Sequence, residues 1–235
     1  MYVERRARAG AAAALWSTPG SGSGIRVLPD GCMDVVWSGG ALLAVGPDTR
    51  ARLATEGGGA RVFGIRFDPG TGPAALGVPA AELRDLQVPL DDLWSARAAR
   101  ELAERLAAAA DPAAVLDRAF AGADGRIPAA DPVVSAVLAG VRAAGGTSVA
   151  AVADEVGLSE RQVRRRCEAA FGYGMKTLER ILRMGRALDG VRAGLPLAEV
   201  AAAVGYADQP HLNREVKALA GTVPTAFAPQ PALVG

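Results

Sequence analysis

The sequence predicts an α+β protein: a small N-terminal antiparallel β domain followed by helices, then an all-α C-terminal domain with two helix-turn-helix units joined by a linker helix. Three observations lead there. Up to about Pro89, short runs rich in Val, Leu, Ile, Phe and Trp alternate with Gly, Pro, Asp and Ser clusters, the pattern of short strands joined by turns. Beyond that point the apolar positions recur at helical spacing. Near the C-terminus one motif occurs twice, because Val152, Ala153, Val156 and Gly157 return as Val200, Ala201, Val204 and Gly205, an offset of 48 positions.

The expected strands are Ala12–Ser17, Gly24–Leu28, Cys32–Trp37, Ala41–Val45 and Arg61–Phe67. Turn signals at Pro29-Asp30-Gly31, Gly46-Pro47-Asp48 and Asp68-Pro69-Gly70 punctuate them, as in a small sandwich or partial barrel. Ser95 can cap a helix to about Ala110 that sets Leu102 and Leu106 on one face, against another subunit or against its own sheet. Asp111-Pro112 opens a second helix toward Phe120, and Asp131-Pro132 a third carrying Val134, Val137, Leu138 and Val141. Between them a Gly/Ala/Pro stretch places the domain boundary at 122–131, which divides the chain into 1–122 and 131–235.

The two repeat units span about 148–171 and 197–220. In the first, Ser148 precedes Val149–Val156, Gly157 ends that helix, and Ser159 with Gln162 forms a capping box for the next. At 100° per residue Val163, Cys167, Ala170 and Phe171 share the core side, with Arg161 and Arg165 opposite and Gln162, Arg164 and Glu168 at the flanks. The second unit has one more residue in its turn: Leu197–Val204, then Gly205-Tyr206-Ala207, then Asp208 as cap. There Leu212, Val216, Leu219 and Ala220 face the core, Pro210, Arg214 and Lys217 point away, His211 and Asn213 flank them, and Gln209 lies in the first turn. A helix fits the major groove, and arginine pairs bidentately with guanine, so these outward faces are where a base sequence would be read. His211 reads either as a groove or phosphate contact or as a plain surface residue. Met175–Arg192 lies between the units; its eighteen residues span roughly 27 Å, which sets two reading helices about one duplex turn apart. Its Arg180, Arg183 and Arg186 either touch phosphate or serve solubility.

Charge and composition narrow the classes. The net charge is only +1, yet residues 159–192 hold nine basic groups (Arg161, Arg164, Arg165, Arg166, Lys176, Arg180, Arg183, Arg186, Arg192) against Glu160, Glu168, Glu179 and Asp189. Half of the residues are hydrophobic, which excludes disorder by composition. With no run of eighteen apolar residues and no signal-type start, the expectation is a soluble cytoplasmic protein that does not enter a membrane. Two cysteines, Cys32 and Cys167, and one histidine cannot assemble a four-ligand zinc site, and neither a metal nor a cofactor is expected.

Residues 148–227 resemble the two-unit DNA-binding domain of AraC/XylS-type transcription regulators. The likeness is carried by VADEVGLSERQVRRRCEAAFG, a linker of LERILRMGRAL type, and VAAAVGYADQPHLNREVKALAGTVPTAF with its Gly-Tyr turn and closing Gly-Thr-Val-Pro. The resemblance implies base contacts from Arg161, Arg164 and Arg165, and from Gln209, Pro210, Asn213 and Arg214 in the second unit. Cys167 stands where the family usually has an aromatic, and Pro210 where a polar side chain is common. The segments LPDGCMDVVW (28–37) and FGIRFDPG (63–70) resemble an N-terminal domain that accompanies this module in bacterial regulators. The family's N-terminal β domain generally binds a small effector, for which Asp34 and Arg66 are the candidate contacts, with Asp30, Cys32 and Asp68 near them. Arg66 paired to Asp34 or Asp68 is the structural alternative.

The expected function is thus a sequence-specific bacterial regulator without catalytic activity. Its partners are double-stranded DNA, a small-molecule effector, RNA polymerase and a second copy of the chain. Two other classes compete: a DNA-repair methyl acceptor fused to the same module, for which Cys32 is the one candidate thiol, and an interaction module that has lost DNA specificity.

Overall fold

The computed structural model describes residues 3–7, 13–19, 25–54, 61–121, 131–143 and 146–229. Strands β1 (Val3–Arg6), β2 (Ala13–Thr18), β3 (Ile25–Val27), β4 (Met33–Ser38), β5 (Ala41–Val45), β6 (Arg52–Ala54), β7 (Val62–Phe67) and β8 (Gln87–Pro89) form two antiparallel sheets. Six of them lie in the order β1-β2-β7-β4-β5-β8, and β3 pairs with β6 in a separate two-stranded ribbon. The five runs expected from sequence are β2, β3, β4, β5 and β7. The others lack the signal that found these. β1 is Val-Glu-Arg-Arg, exposed throughout at the sheet edge, and β6 and β8 are three residues each, too short to show alternation.

Alternation gives the large sheet two distinct faces. Leu15, Met33, Val35, Ile65 and Phe67 belong to one buried cluster with Leu102, Leu106, Leu116 and Phe120 of helices α2 (Ala96–Ala108) and α3 (Pro112–Ala119). Phe120 meets Phe67 edge-on, with centroids 5.4 Å apart. Helix α2 therefore covers its own sheet. Trp16, Asp34, Gly64 and Arg66 occupy the other face. A Cβ at Gly64 would stand 2.3 Å from the Trp16 indole, so the ring lies directly on the strand backbone there. A short helix α1 (Gly72–Leu76), ended by Gly77 at φ 81°, follows the Asp68-Pro69-Gly70 turn.

The helical half is α4 (Pro132–Arg142), α5 (Val149–Val156), α6 (Glu160–Phe171), α7 (Met175–Arg192), α8 (Leu197–Val204) and α9 (Gln209–Ala220). Five of their six starts are marked in the sequence. Asp131, Ser148, Ser159 and Asp208 each accept a backbone N–H of the first turn, α8 follows Pro196, and each such side-chain cap is worth about 1 kcal/mol. Helix α7 starts after Gly174 with no side-chain cap and is held instead by burial of Leu178, Ile181, Met184, Ala187, Leu188 and Val191. Val133, Val134, Val137 and Val141 of α4 join this same core. Of the expected boundary at 122–131, residues 122–130 lie outside the described residues.

The two halves touch. Leu28 packs on the helical core, and Cβ atoms placed on Gly31, Gly70 and Gly172 would press on Leu178, Val134 and Pro47 respectively. Among the described residues no helix is long and apolar enough to cross a membrane.

Candidate nucleic-acid interface

Each unit is built from a short helix, a left-handed glycine and a longer helix. Gly157 (φ 67°) and Gly205 (φ 81°) end α5 and α8, a conformation that a side chain would strain. The turn is then closed by side chains. Ser159 Oγ accepts from the Gln162 N–H while Gln162 Oε1 accepts from the Ser159 N–H at 2.9 Å, completing the capping box. In the second unit Asp208 accepts from the His211 N–H at 2.6 Å, and His211 Nδ1 accepts from the Ala207 N–H. The His211 ring also stands edge-on to Tyr206, 5.2 Å between centroids.

Burial of Val163, Cys167 and Phe171 on α6, and of Leu212, Val216, Leu219 and Ala220 on α9, turns the remaining faces outward. Arg161, Gln162, Arg164 and Arg165 are exposed on α6, and Gln209, Pro210, Arg214 and Lys217 on α9. The arginines of α6 divide into two pairs. Arg164 is bound to Glu160 one turn earlier, and Arg166 to Asp131 at the start of α4, 2.9 Å away. No hydrogen bond or ion pair among the described residues engages Arg161 or Arg165, which sit one turn apart on one face. Gln162 is committed through its carbonyl oxygen; a bidentate reading of adenine needs both its oxygen and its nitrogen. His211 and Asn213 are half-buried, and Asn213 Oδ1 is buried without a hydrogen-bond partner.

Arg180, Arg183 and Arg186 of α7 each have a partner within the protein. Arg180 makes two hydrogen bonds to Glu215 of α9, at 2.7 and 3.1 Å. Arg183 pairs with Glu179 and lies over the Tyr206 ring, 5.5 Å from its centroid. Arg186 donates to the Arg142 carbonyl at the end of α4. The pairing of Arg180 holds the Glu215 carboxyl below its ordinary range. Arg180 and Glu215 lie 35 residues apart, and Arg186 and Arg142 lie 44 apart, so neither contact leaves a local signal in the sequence.

On the face of the sheet opposite α2 and α3 the polar side chains bind one another. Asp34 accepts from Trp16 Nε1 at 2.8 Å and from Arg66 Nε at 3.2 Å, and Arg66 also reaches Asp30 at 3.2 Å. Burial pushes the Asp34 carboxyl up, with Arg66 opposing. Asp68 pairs with Arg6 instead. Burial also raises the Cys32 thiol well above its usual range, and the neighbouring Asp30 adds to the shift. Among the described residues no three His, Cys, Asp or Glu side chains converge as a metal-ligand set.

Comparison with known proteins separates the same two halves. Residues 152–230 match the helix-turn-helix domain family, and residues 12–89 match a domain of unknown function (DUF6597). No curated protein matches the chain as a relative. Among solved structures, the C-terminal domain of AraT, a response regulator from Geobacillus stearothermophilus, is similar over 45% of this chain and 92% of its own, at 21% identity and a TM-score of 0.39. ToxT from Vibrio cholerae O395 is similar over 92% of this chain and 96% of its own, at 9% identity and a TM-score of 0.48. The same protein bound to (E)-4-(8-methylnaphthalen-1-yl)but-3-enoic acid is similar over 96% of this chain and 97% of its own, at 10% identity and a TM-score of 0.49.

Proposed function

We propose that this chain, whose residues 152–230 match the helix-turn-helix domain family, is a transcription regulator of the AraC/XylS type that reads two successive major-groove segments of DNA under control of its β domain. The observation that carries the reading is the division of the α6 arginines. Arg161 and Arg165 face outward, one turn apart and without an acidic partner among the described residues, while their neighbours Arg164 and Arg166 are ion-paired within the protein. Two such guanidiniums on a helix suit bidentate contact with guanine O6 and N7. Arg164, Gln162, Gln209, Pro210, His211, Asn213, Arg214 and Lys217 complete the surface. Phosphate contacts from it supply affinity that falls with salt, and base contacts supply discrimination.

The units play unequal parts. The first carries the arginine pair, whereas the second has a proline in its first turn and His211 folded onto Tyr206. Specificity therefore rests mainly on α6, and α9 anchors and sets register. Control belongs to the β domain, with Asp34 and Arg66 as effector contacts; a ligand there enters by exchanging the Arg66–Asp34 and Arg66–Asp30 pairs for its own. Two copies on one operator and contact with RNA polymerase belong to the same reading.

The test is selection of bound fragments from genomic DNA, followed by footprinting with and without metabolite extract. Arg161→Ala is expected to cost about 1–3 kcal/mol of discrimination at one base pair, and more than Arg214→Ala. The reverse ranking overturns the assignment of parts. A protein without sequence preference at moderate salt, or a footprint untouched by Arg161→Ala with Arg165→Ala, overturns the reading.

A further inference from the structure

The last carbonyls of a helix have no acceptor role to play within that helix. In both reading helices they are met from the β domain. Arg84 donates through Nη1 to the carbonyl of Gly172, one residue beyond α6, at 3.2 Å. Arg26 donates through Nη1 to the carbonyl of Ala220, the last residue of α9, at 3.0 Å, and the Ala51 N–H donates to the Leu219 carbonyl at 2.6 Å. Each guanidinium thus also lies at the negative end of a helix dipole.

The two holds differ in kind. The end of α6 is wedged as well as bonded: a Cβ on Gly172 would lie 2.6 Å from Pro47 and 3.1 Å from the Ala80 carbonyl. The end of α9 is held by the ribbon, since Arg26 lies in β3 and Ala51 immediately precedes β6. Among the described residues that ribbon forms a sheet separate from the six-stranded one. Gly221 (φ 69°) brings the chain so close that a Cβ there would stand 3.1 Å from Arg26 Nη1. Along its length α9 is tied to α7 by Arg180 and Glu215, so the ribbon governs the far end of a helix already fixed in the middle.

We propose that Arg26 is a positioning residue for the second reading helix, so that the β3–β6 ribbon sets the pose of α9 from the β domain while Arg84 does the same for α6. This rests on the DNA-reading proposal above, and it assigns each half-site its own strut in the β domain.

The experiment uses the full chain on a selected fragment, with the first half-site defined as the one whose protection depends on Arg161. Arg26→Ala is expected to weaken protection of the second half-site and keep the first, and to lower affinity for the whole site about tenfold. Arg26→Lys, which retains a donor, should recover most of the loss, and Leu53→Ala on the same ribbon should change nothing. Arg84→Ala should weaken the first half-site instead, which keeps the assignment testable if Arg26→Ala folds poorly. Equal loss at both half-sites, a lysine variant no better than alanine, or the same footprint from Arg26→Ala and Arg84→Ala overturns the proposal while a two-part wild-type footprint leaves the DNA reading standing. A wild-type protein with no preferred site overturns both.

Discussion

Arg66 divides its guanidinium between two carboxylates, and the buried one of them, Asp34, is also bound by an indole N–H. That arrangement depends on a residue with no polar atom in its side chain. Gly64 lets Trp16 lie on the strand, and a methyl group there collides with the ring at 2.3 Å. Gly64→Ala is therefore expected to destabilise the β domain by about 1–3 kcal/mol, measured as a lower midpoint in denaturant. The cysteines give a second expectation. Burial raises Cys167 to about 11 and Cys32 well above its ordinary value, so neither should react with a thiol reagent near pH 8 until the protein is unfolded. Rapid labelling of one native thiol would refute this. Gln162 shows what sequence can hold at this scale. Its place in the capping box is a local pattern and was readable, whereas the loss of its oxygen to Ser159 as a base-reading group follows only from the closed geometry.

Helix starts in the C-terminal half were legible because they are local: Ser148, Ser159 and Asp208 act on N–H groups three residues away. The element-level contacts were not legible, because Arg180 meets Glu215 and Arg186 meets Arg142 across long separations. The Arg180–Glu215 pair carries a pH dependence whose sign is fixed. Its hydrogen bonds lower the Glu215 pKa below the ordinary 4.5, so the pair supports folding above that value and the support is lost as pH falls through the lowered one. The melting temperature of the wild type should fall below pH 4.5 more steeply than that of Glu215→Gln. Parallel curves would remove the pair from the account. Asp208→Ala removes the α9 cap and should cost about 1 kcal/mol, read in the same melts. The β3–β6 pairing escaped prediction for the complementary reason: β6 has three residues, and strands β4 and β5 lie between it and β3 in the sequence.

At the scale of the whole molecule, the described contacts from the β domain reach the ends of both reading helices, so the halves should not behave as beads on a string. Calorimetry is expected to show one transition with calorimetric and van't Hoff enthalpies in agreement; two resolved transitions would show independent halves. The same interface has a meaning in time. Helices α5 to α9 are built largely from contacts between neighbours in sequence, but β2 pairs with β7 across the four strands that lie between them in the chain. Local contacts form quickly and distant pairings slowly. During refolding the helical half should recover its secondary structure first, with the ends of α6 and α9 still frayed. Arg84 and Arg26 reach those ends only when the sheet has closed, which makes completion of the slow half the step that finishes the fast one.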